Sequence, residues 1–321
     1  MRKLVFCTQK LDPDDPVLAA TVPMVRALAA RVDELVVLCD SAAIELDNVR
    51  VREFGAPAQA LRGARFEAAL ARELRCDGVV AHMVPLFAVL AAPLVRPLGI
   101  PLVLWYTHWK SHVVVRAAER VCTAIASVDV RSFPLRSDKV HALGHGIDVA
   151  EFACADAPPP PTRALVLGRY SPAKGLETIL RAARTAGVHV EAHGSDETFA
   201  TYKRELAREF PEADLAGPVP RAQVPDLFAR SHVLVNNMLP GAPDKVVYEA
   251  AASCVPVLAS NPLFDDLLPP ELRFGRDDVD GLAEKLRTLD RRRRPELRET
   301  VAQRHSVEHW ADGLLATVAR G

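Results

Sequence analysis

Short runs of β-branched and aliphatic residues alternate with longer amphipathic stretches along the whole chain. In the first half KLVFCTQ, ELVVLCD, VRVREFG, DGVVAHM, PLVLWYTH and CTAIAS read as strands. VLAATVPMVRALAARV and QALRGARFEAALARELR, between them, carry helical periodicity. The second half repeats the theme with RALVLGR, HVEAHGS, ADLAG, HVLVNNM and PVLAS. Continuous apolar strands alternating with helices predict an α/β architecture of parallel sheets covered on both faces. ACADAPPPPTR breaks the pattern, because four consecutive prolines fit neither a helix nor a central strand. The pattern therefore divides the chain into a Rossmann-like domain over residues 1–154, a stiff linker over 155–162 and a second Rossmann-like domain over 163–304. A final helix over 305–321 is free to pack back across the domain junction. Doubly wound sheets bind ligands at the carboxyl ends of their strands, so two such domains facing each other predict a deep cleft.

Composition narrows the functional classes. Hydrophobic residues make up 49% of the 321, charged residues 25%, and the net charge is −1, which gives no electrostatic case for nucleic-acid binding. The longest apolar stretch, MVPLFAVLAAPLV, is interrupted by prolines and falls short of the ~20 residues that span a bilayer, so it predicts a buried helix. The apolar part of MRKLVFCTQ is too short for a secretory signal, and the expected location is cytoplasmic. The six cysteines are scattered without metal-ligand spacing, which predicts buried free thiols in a reducing compartment. Arg291 to Arg294 read as a solvated helix end. Neither first strand is followed by GxGxxG, which weakens a dehydrogenase reading.

The chemistry-bearing stretch is GRYSPAKG, from Gly168, placed between the apolar run ALVLG and the helical pattern LETILRAARTAG. A helix N-terminus presents unpaired N–H groups and partial positive charge, which favour phosphate. Arg169 adds a planar fork and Lys174 a mobile point charge, a combination suited to a diphosphate; a capped helix with two surface cations is the plainer reading. Further on, DKVVYEAAASCVPVLAS reads as a helix carrying Glu249, then a turn and a buried strand. A carboxylate there can accept hydrogen bonds from two vicinal ribose hydroxyls, or be a solvated helical glutamate.

Taken in order, these segments resemble the GT-B glycosyltransferases of the large retaining family four, which take sugars from nucleotide diphosphates. GHGIDVAEF resembles that family's NGID-x-x-x-F segment, and LVLGRYSPAKGLETILRAA its GR-x-x-x-x-KG unit. LAGPVPRAQVPDLFARSHVLV resembles its G-x-V segment with the following helix and strand, and VVYEAAASCVPVLAS its EAMA-x-G-x-PV block. The resemblance is continuous over residues 139–262 and thin over the first hundred. It implies that Arg169 and Lys174 hold the donor diphosphate, Glu249 the ribose, and the backbone from Gly217 to Val219 the base. PLVLWYTHWKSH resembles the family's PLV-x-T-x-H segment, which implies a role for His108 at the donor sugar or diphosphate.

The chain also departs from the family pattern. Gly241 stands where the family has its first glutamate, with Asp244 and Lys245 nearby as substitutes for a sugar-hydroxyl contact and for phosphate charge. Cys254 replaces the usual glycine of the EAMA block and reads as a tolerated small residue in a turn. The glycine pair after the first strand is replaced by TQKLDPDDPVLAA, in which Gln9, Lys10 and Asp15 are expected on the acceptor side. Asp14 and Asp15 beside Pro16 read equally as helix caps.

The implied reaction is transfer, with retention, from a nucleotide-diphosphate sugar to a hydroxyl of a glycan, a lipid-linked molecule or a small molecule. Neither a cofactor nor a metal is expected, and a lipid-linked acceptor would bring peripheral contact with the inner face of the membrane. A noncatalytic GT-B binding subunit and a nucleotide-sugar epimerase of the same fold are the alternatives.

Overall fold

The computed structural model describes residues 1–15, 18–159 and 161–321. Pro16 and Pro160, named above as a helix-start proline and a linker residue, lie outside the described residues. Two compact units result: Met1–Gly146 together with Arg304–Gly321, and Ile147–Gln303.

Unit 1 is built on β1 (Lys3–Cys7), β3 (Glu34–Cys39), β5 (Val49–Glu53), β6 (Gly78–His82), β7 (Leu102–Trp105), β8 (Ala124–Ser127) and β9 (Val140–Ala142). They form one parallel sheet in the order β5-β3-β1-β6-β7-β8-β9. The apolar runs KLVFC, ELVVLC and GVVAH are buried almost throughout, as strands covered on both faces must be. Helices α1 (Thr21–Ala29), α2 (Gln59–Ala71), α3 (Pro85–Val95) and α4 (Val113–Val121) supply the covering layers. The proline-interrupted apolar stretch is α3, which buries Phe87, Ala88, Ala91, Ala92 and Val95. Phe87 closes an aromatic cluster with Phe54 and Phe66 at centroid separations of 5.4 and 5.0 Å. Among the described residues no helix is long and apolar enough to cross a membrane.

The loop after β1 departs from the expected entry straight into a helix. Lys10–Leu11 form β2, which pairs in parallel with β4 (Ser41–Ala42), and α1 starts only at Thr21. The last helix, α11 (Val307–Arg320), belongs to unit 1, where fully buried Trp310 meets Trp105 and Phe6 edge-on.

Unit 2 carries β10 (Arg163–Leu167), β11 (His189–His193), β12 (Asp214–Ala216), β13 (Val233–Asn236) and β14 (Val257–Ala259), parallel and ordered β12-β11-β10-β13-β14. Its helices are α5 (Leu176–Ala186), α6 (Ala200–Glu209), α7 (Val224–Ala229), α8 (Lys245–Ala252), α9 (Val279–Thr288) and α10 (Pro295–Arg304). The order reverses between β10 and β13, and a doubly wound sheet opens a ligand crevice at such a reversal.

Three expectations are corrected here. Residues 147–154 belong to the second unit, not the first. Phe152 is buried against Phe228, and the Arg298 guanidinium donates to the carbonyls of Phe152 and Val149. Cys154 and Cys254, expected as free thiols, are joined in a disulfide with Cα atoms 5.2 Å apart; folding brings together cysteines 100 residues apart in sequence. Of Arg291 to Arg294, expected as a solvated helix end, the first two are exposed, but Arg293 is half-buried and Arg294 buried. Arg293 donates to the carbonyls of Ala155, Ser231 and Ala229 (2.9, 3.0 and 2.7 Å), satisfying the carboxyl end of α7, and Arg294 is buried.

The ends of β10 and β11 lie in close contact, because a Cβ on Gly194 would fall on the Gly168 carbonyl oxygen. Gly194→Ala is therefore expected to cost about 2 kcal/mol by forcing the two loops apart. Thermal unfolding checks it, and an unchanged midpoint would refute the close approach.

Candidate donor-binding site

Lys174 reaches the end of β10 because Gly168 has no side chain. Gly168 adopts φ 131°, and a Cβ there would lie 2.5 Å from Lys174 Nζ and 2.8 Å from its Cε. The lysine thus lies across the backbone it follows. Ser171 opens a short 3-10 turn over Pro172–Lys174, its hydroxyl accepting from the Ala173 amide at 3.3 Å. Gly175 then turns left-handed (φ 56°) into α5, with no room for a Cβ against the Asn237 side chain. Arg169 is exposed and has no hydrogen-bond or ion-pair partner among the described residues. Tyr170, buried in the same motif, donates its hydroxyl to the Ala192 and Ala216 carbonyls (2.9 and 2.7 Å) and so ties this loop to the ends of β11 and β12.

The loop from β13 meets the β10–α5 loop at the strand-order reversal. Lys174 forms an ion pair with Asp244, whose carboxylate also accepts from Asn236 Nδ2 at 2.7 Å. Asp244 stands at the N-cap of α8, yet its carboxylate caps no backbone amide there, because it is turned to the lysine and the asparagine. Asn237 Nδ2 donates to the Gly175 carbonyl (3.1 Å) and its Oδ1 accepts from Ser260 (2.7 Å). The Arg276 guanidinium binds the Asn237 and Ala173 carbonyls, fastening both loops together. Gly241 lies in this loop at φ 82°, a left-handed position where glycine is the least strained residue.

Glu249 sits one helical turn beyond Lys245 and is buried. Its Oε1 accepts from Arg221 Nη1 at 2.9 Å, while Arg221 Nη2 reaches Glu151 at 2.5 Å. The Arg221 guanidinium also lies over the Phe152 ring, 5.6 Å from its centroid. Burial alone would lower the Arg221 pKa, but the two carboxylates hold it above its ordinary value. Arg221 Nε is buried without a hydrogen-bond partner among the described residues. Gly217 and Val219, just upstream, follow β12; Gly217 is exposed, and a Cβ there would meet open space.

Two ion-paired clusters therefore stand beside α8, Lys174 with Asp244 and Arg221 with Glu249 and Glu151. Lys245, proposed from sequence as extra phosphate charge, belongs electrostatically to the second. Burial pushes its ammonium down to about 8, with Glu249 opposing the shift. The folded pKa thus lies below the ~10.4 of an unfolded lysine. The unfolded chain binds the extra proton between these values, so the penalty is full below about pH 8 and fades as pH rises toward 10. Lys245→Met is expected to raise the unfolding midpoint at pH 7 and to flatten the gain in stability above about pH 8. A variant less stable than the parent at pH 7 would contradict this.

The remaining sequence-derived residues lie in unit 1. His108 follows β7; its Nδ1 accepts the Lys110 amide at 3.0 Å, which puts the proton of the neutral ring on Nε2, and the ring stacks on Trp109. Gln9 is exposed beside β2. Lys10 pairs with Asp15 at 3.0 Å, and Asp15 also accepts the Leu18 amide at 2.8 Å, a turn-capping role. Asp14 donates its amide to Asp12 at 2.9 Å. A buried Thr8–His82 hydrogen bond (3.0 Å) lies at the ends of β1 and β6, where the unit 1 order reverses, and no linear motif marks it. Among the described residues no group of three or more His, Cys, Asp or Glu side chains is placed to hold a metal ion.

Comparison with known proteins adds the fold identity. Residues 171–316 match a family model described as glycosyl transferase-like. Among curated proteins none matches the chain. Solved structures with the same fold include Anabaena HepE in complex with UDP (15% identity, TM-score 0.76, 100% of both chains covered). Sucrose-phosphate synthase from Thermosynechococcus elongatus is similar at 15% identity and TM-score 0.77, with 100% of this chain and 98% of that one covered. UDP-GlcNAc 2-epimerase from Methanocaldococcus jannaschii matches at 11% identity and TM-score 0.61, with both chains covered in full. The fold is GT-B, two Rossmann-like units each with a parallel sheet.

Proposed function

We propose that the chain is a retaining glycosyltransferase that moves a sugar from a nucleotide-diphosphate donor to a hydroxyl acceptor without a metal. The observation that carries this reading is Lys174 lying over Gly168, at the start of α5 and at the strand-order reversal of unit 2. A leaving diphosphate gains negative charge as its bond to the sugar breaks, and a fixed ammonium with nearby helix amides stabilises that charge. Arg169, exposed and unpaired among the described residues, is the second phosphate ligand in this reading. Glu249 takes the ribose hydroxyls once Arg221 yields, Asp244 takes a sugar hydroxyl in place of the glutamate missing at Gly241, and His108 donates from Nε2 to the sugar or phosphate. The backbone of Gly217 and Val219 faces the base. Gln9, Lys10 and Asp15 are proposed on the acceptor side, with Asp15 also serving its turn.

That HepE was solved with UDP puts uridine donors first in the assay. The chain is incubated with UDP-, GDP-, ADP- and TDP-sugars and an acceptor panel, and released nucleoside diphosphate and the anomeric configuration of the product are measured. Transfer with retained configuration, undiminished by a chelator, is the expected result. Inverted product would overturn retention, and free epimerised sugar without acceptor would establish the epimerase reading. Tight nucleotide binding without turnover would favour a binding subunit, a reading favoured by Gly241 standing in place of a carboxylate.

A further inference from the structure

Away from the donor site, unit 1 has a strongly basic depression at the amino ends of its strands. Glu73 forms its floor, with a side chain only 1% exposed, and binds three cations: Lys3 at 2.6 Å, Arg50 at 2.7 Å and Arg52 at 2.5 Å. Burial alone would raise the Glu73 carboxyl, but hydrogen bonds from Lys3 and Arg52 hold it below its ordinary value. A hollow of about 460 Å³ opens above it, lined also by Glu34, Arg72 and Arg75. A second hollow of about 500 Å³ shares Arg52 and Arg72 and adds Arg65 and Glu53. Six cations thus face three carboxylates on a chain whose overall net charge is −1.

Structural need accounts for only part of this charge. Two carboxylates use Lys3, Arg50 and Arg52: Glu73 pairs with all three and Glu34 with Arg50 at 2.5 Å, and Arg50 makes both contacts through Nη2, which leaves its Nε and Nη1 donors for another acceptor. Arg72 donates to its own helix at Ala68, Arg65 to the Gly55 carbonyl, and Arg75 has no partner among the described residues. None of these three has a carboxylate partner among the described residues. The carboxyl end of α2 contributes about half a negative charge, too little to balance the excess. Anchoring by buried Glu73 also holds three donors in fixed positions, so an arriving anion orders fewer side chains.

We infer that this depression binds a small, multiply charged phosphate group, through Arg50, Arg52, Arg72 and Arg75 above the Glu73 floor. The phosphate is either that of a free metabolite or that of an anionic lipid headgroup. The site is separate from the donor site and does not depend on the transferase reading.

Tripolyphosphate is the probe, titrated by calorimetry at low ionic strength into the full chain carrying Lys174→Ala, which removes the phosphate-facing lysine of unit 2. One site per chain is expected. Its affinity should fall at least tenfold when Arg72→Gln and Arg75→Gln are added, and stay unchanged when exposed Arg204→Gln and Arg208→Gln are added instead. Circular dichroism verifies that each variant is folded. No binding, or equal affinity with and without Arg72 and Arg75, overturns the inference. Phosphatidylglycerol vesicles then identify the source. Sedimentation of the chain with vesicles, lost in Arg72→Gln/Arg75→Gln and competed by tripolyphosphate, supports the inference with a headgroup as ligand. Tripolyphosphate binding without sedimentation supports it with a free phosphate.

Discussion

Lys174→Ala is expected to lower turnover at least a hundredfold while the chain stays folded. A fixed donor aimed at developing charge contributes about 3 kcal/mol where such donors have been removed, and Lys174 is the ammonium that lies against the Gly168 backbone. The stability cost is smaller, because the lysine and its partner are only partly buried and Asn236 still donates to Asp244. The partner gives a second, opposite signature. Asp244 pairs with Lys174, so in the proposed site a diphosphate competes with a carboxylate for the ammonium. Asp244→Asn is expected to tighten the binding of free nucleoside diphosphate and yet to slow transfer, since the same carboxylate is assigned to a sugar hydroxyl. Stopped-rate assays alongside equilibrium titration separate the two effects. If Lys174→Ala kept more than a tenth of the activity, the diphosphate would have to be held elsewhere.

Breaking the Cys154–Cys254 disulfide is expected to be the most destabilising single change in unit 2. The bridge closes a loop of sequence separation 100, and loop-closure entropy for such a span is about 4.7 kcal/mol. For a unit of this size that corresponds to a fall in midpoint on the order of 10 °C. Cys254 has φ 60°, a left-handed conformation that costs an L-residue and that explains why the related pattern carries glycine there. Cys154→Ser and dithiothreitol treatment of the parent should give the same midpoint. The effect should reach the proposed donor site as well, because Glu151, three residues before Cys154, holds Arg221 against Glu249. Identical midpoints with and without reductant would mean that the two thiols do not pair.

Much of this organisation was legible in the sequence, and the exceptions share one cause. The five strands of the second half, and the placement of Lys174 where a strand meets a helix, follow from local periodicity and from the glycines flanking GRYSPAK. Glycine at 168 is required because the lysine lies on it, a contact within one short loop and so visible in the linear pattern. Arg221 was not legible. It reaches Glu249 from 28 residues away and Glu151 from 70, and nothing in PRAQVPDLF distinguishes it from a surface arginine. The disulfide, the Glu73 floor, the carbonyl contacts of Arg293 and the burial of Arg294 are of the same kind, since each depends on segments that only folding brings together. The two-residue strands β2 and β4 escaped for a different reason, being too short to show alternation.

The most direct test is calorimetric comparison of a nucleoside diphosphate with its monophosphate, using whichever of UDP, GDP, ADP and TDP most raises the unfolding midpoint. The parent should bind the diphosphate at least tenfold more tightly, and Lys174→Ala should erase that advantage while leaving monophosphate affinity nearly intact. Equal affinities for the two nucleotides in the parent, or an advantage that survives the substitution, would contradict the assignment of the β10–α5 loop to a donor pyrophosphate.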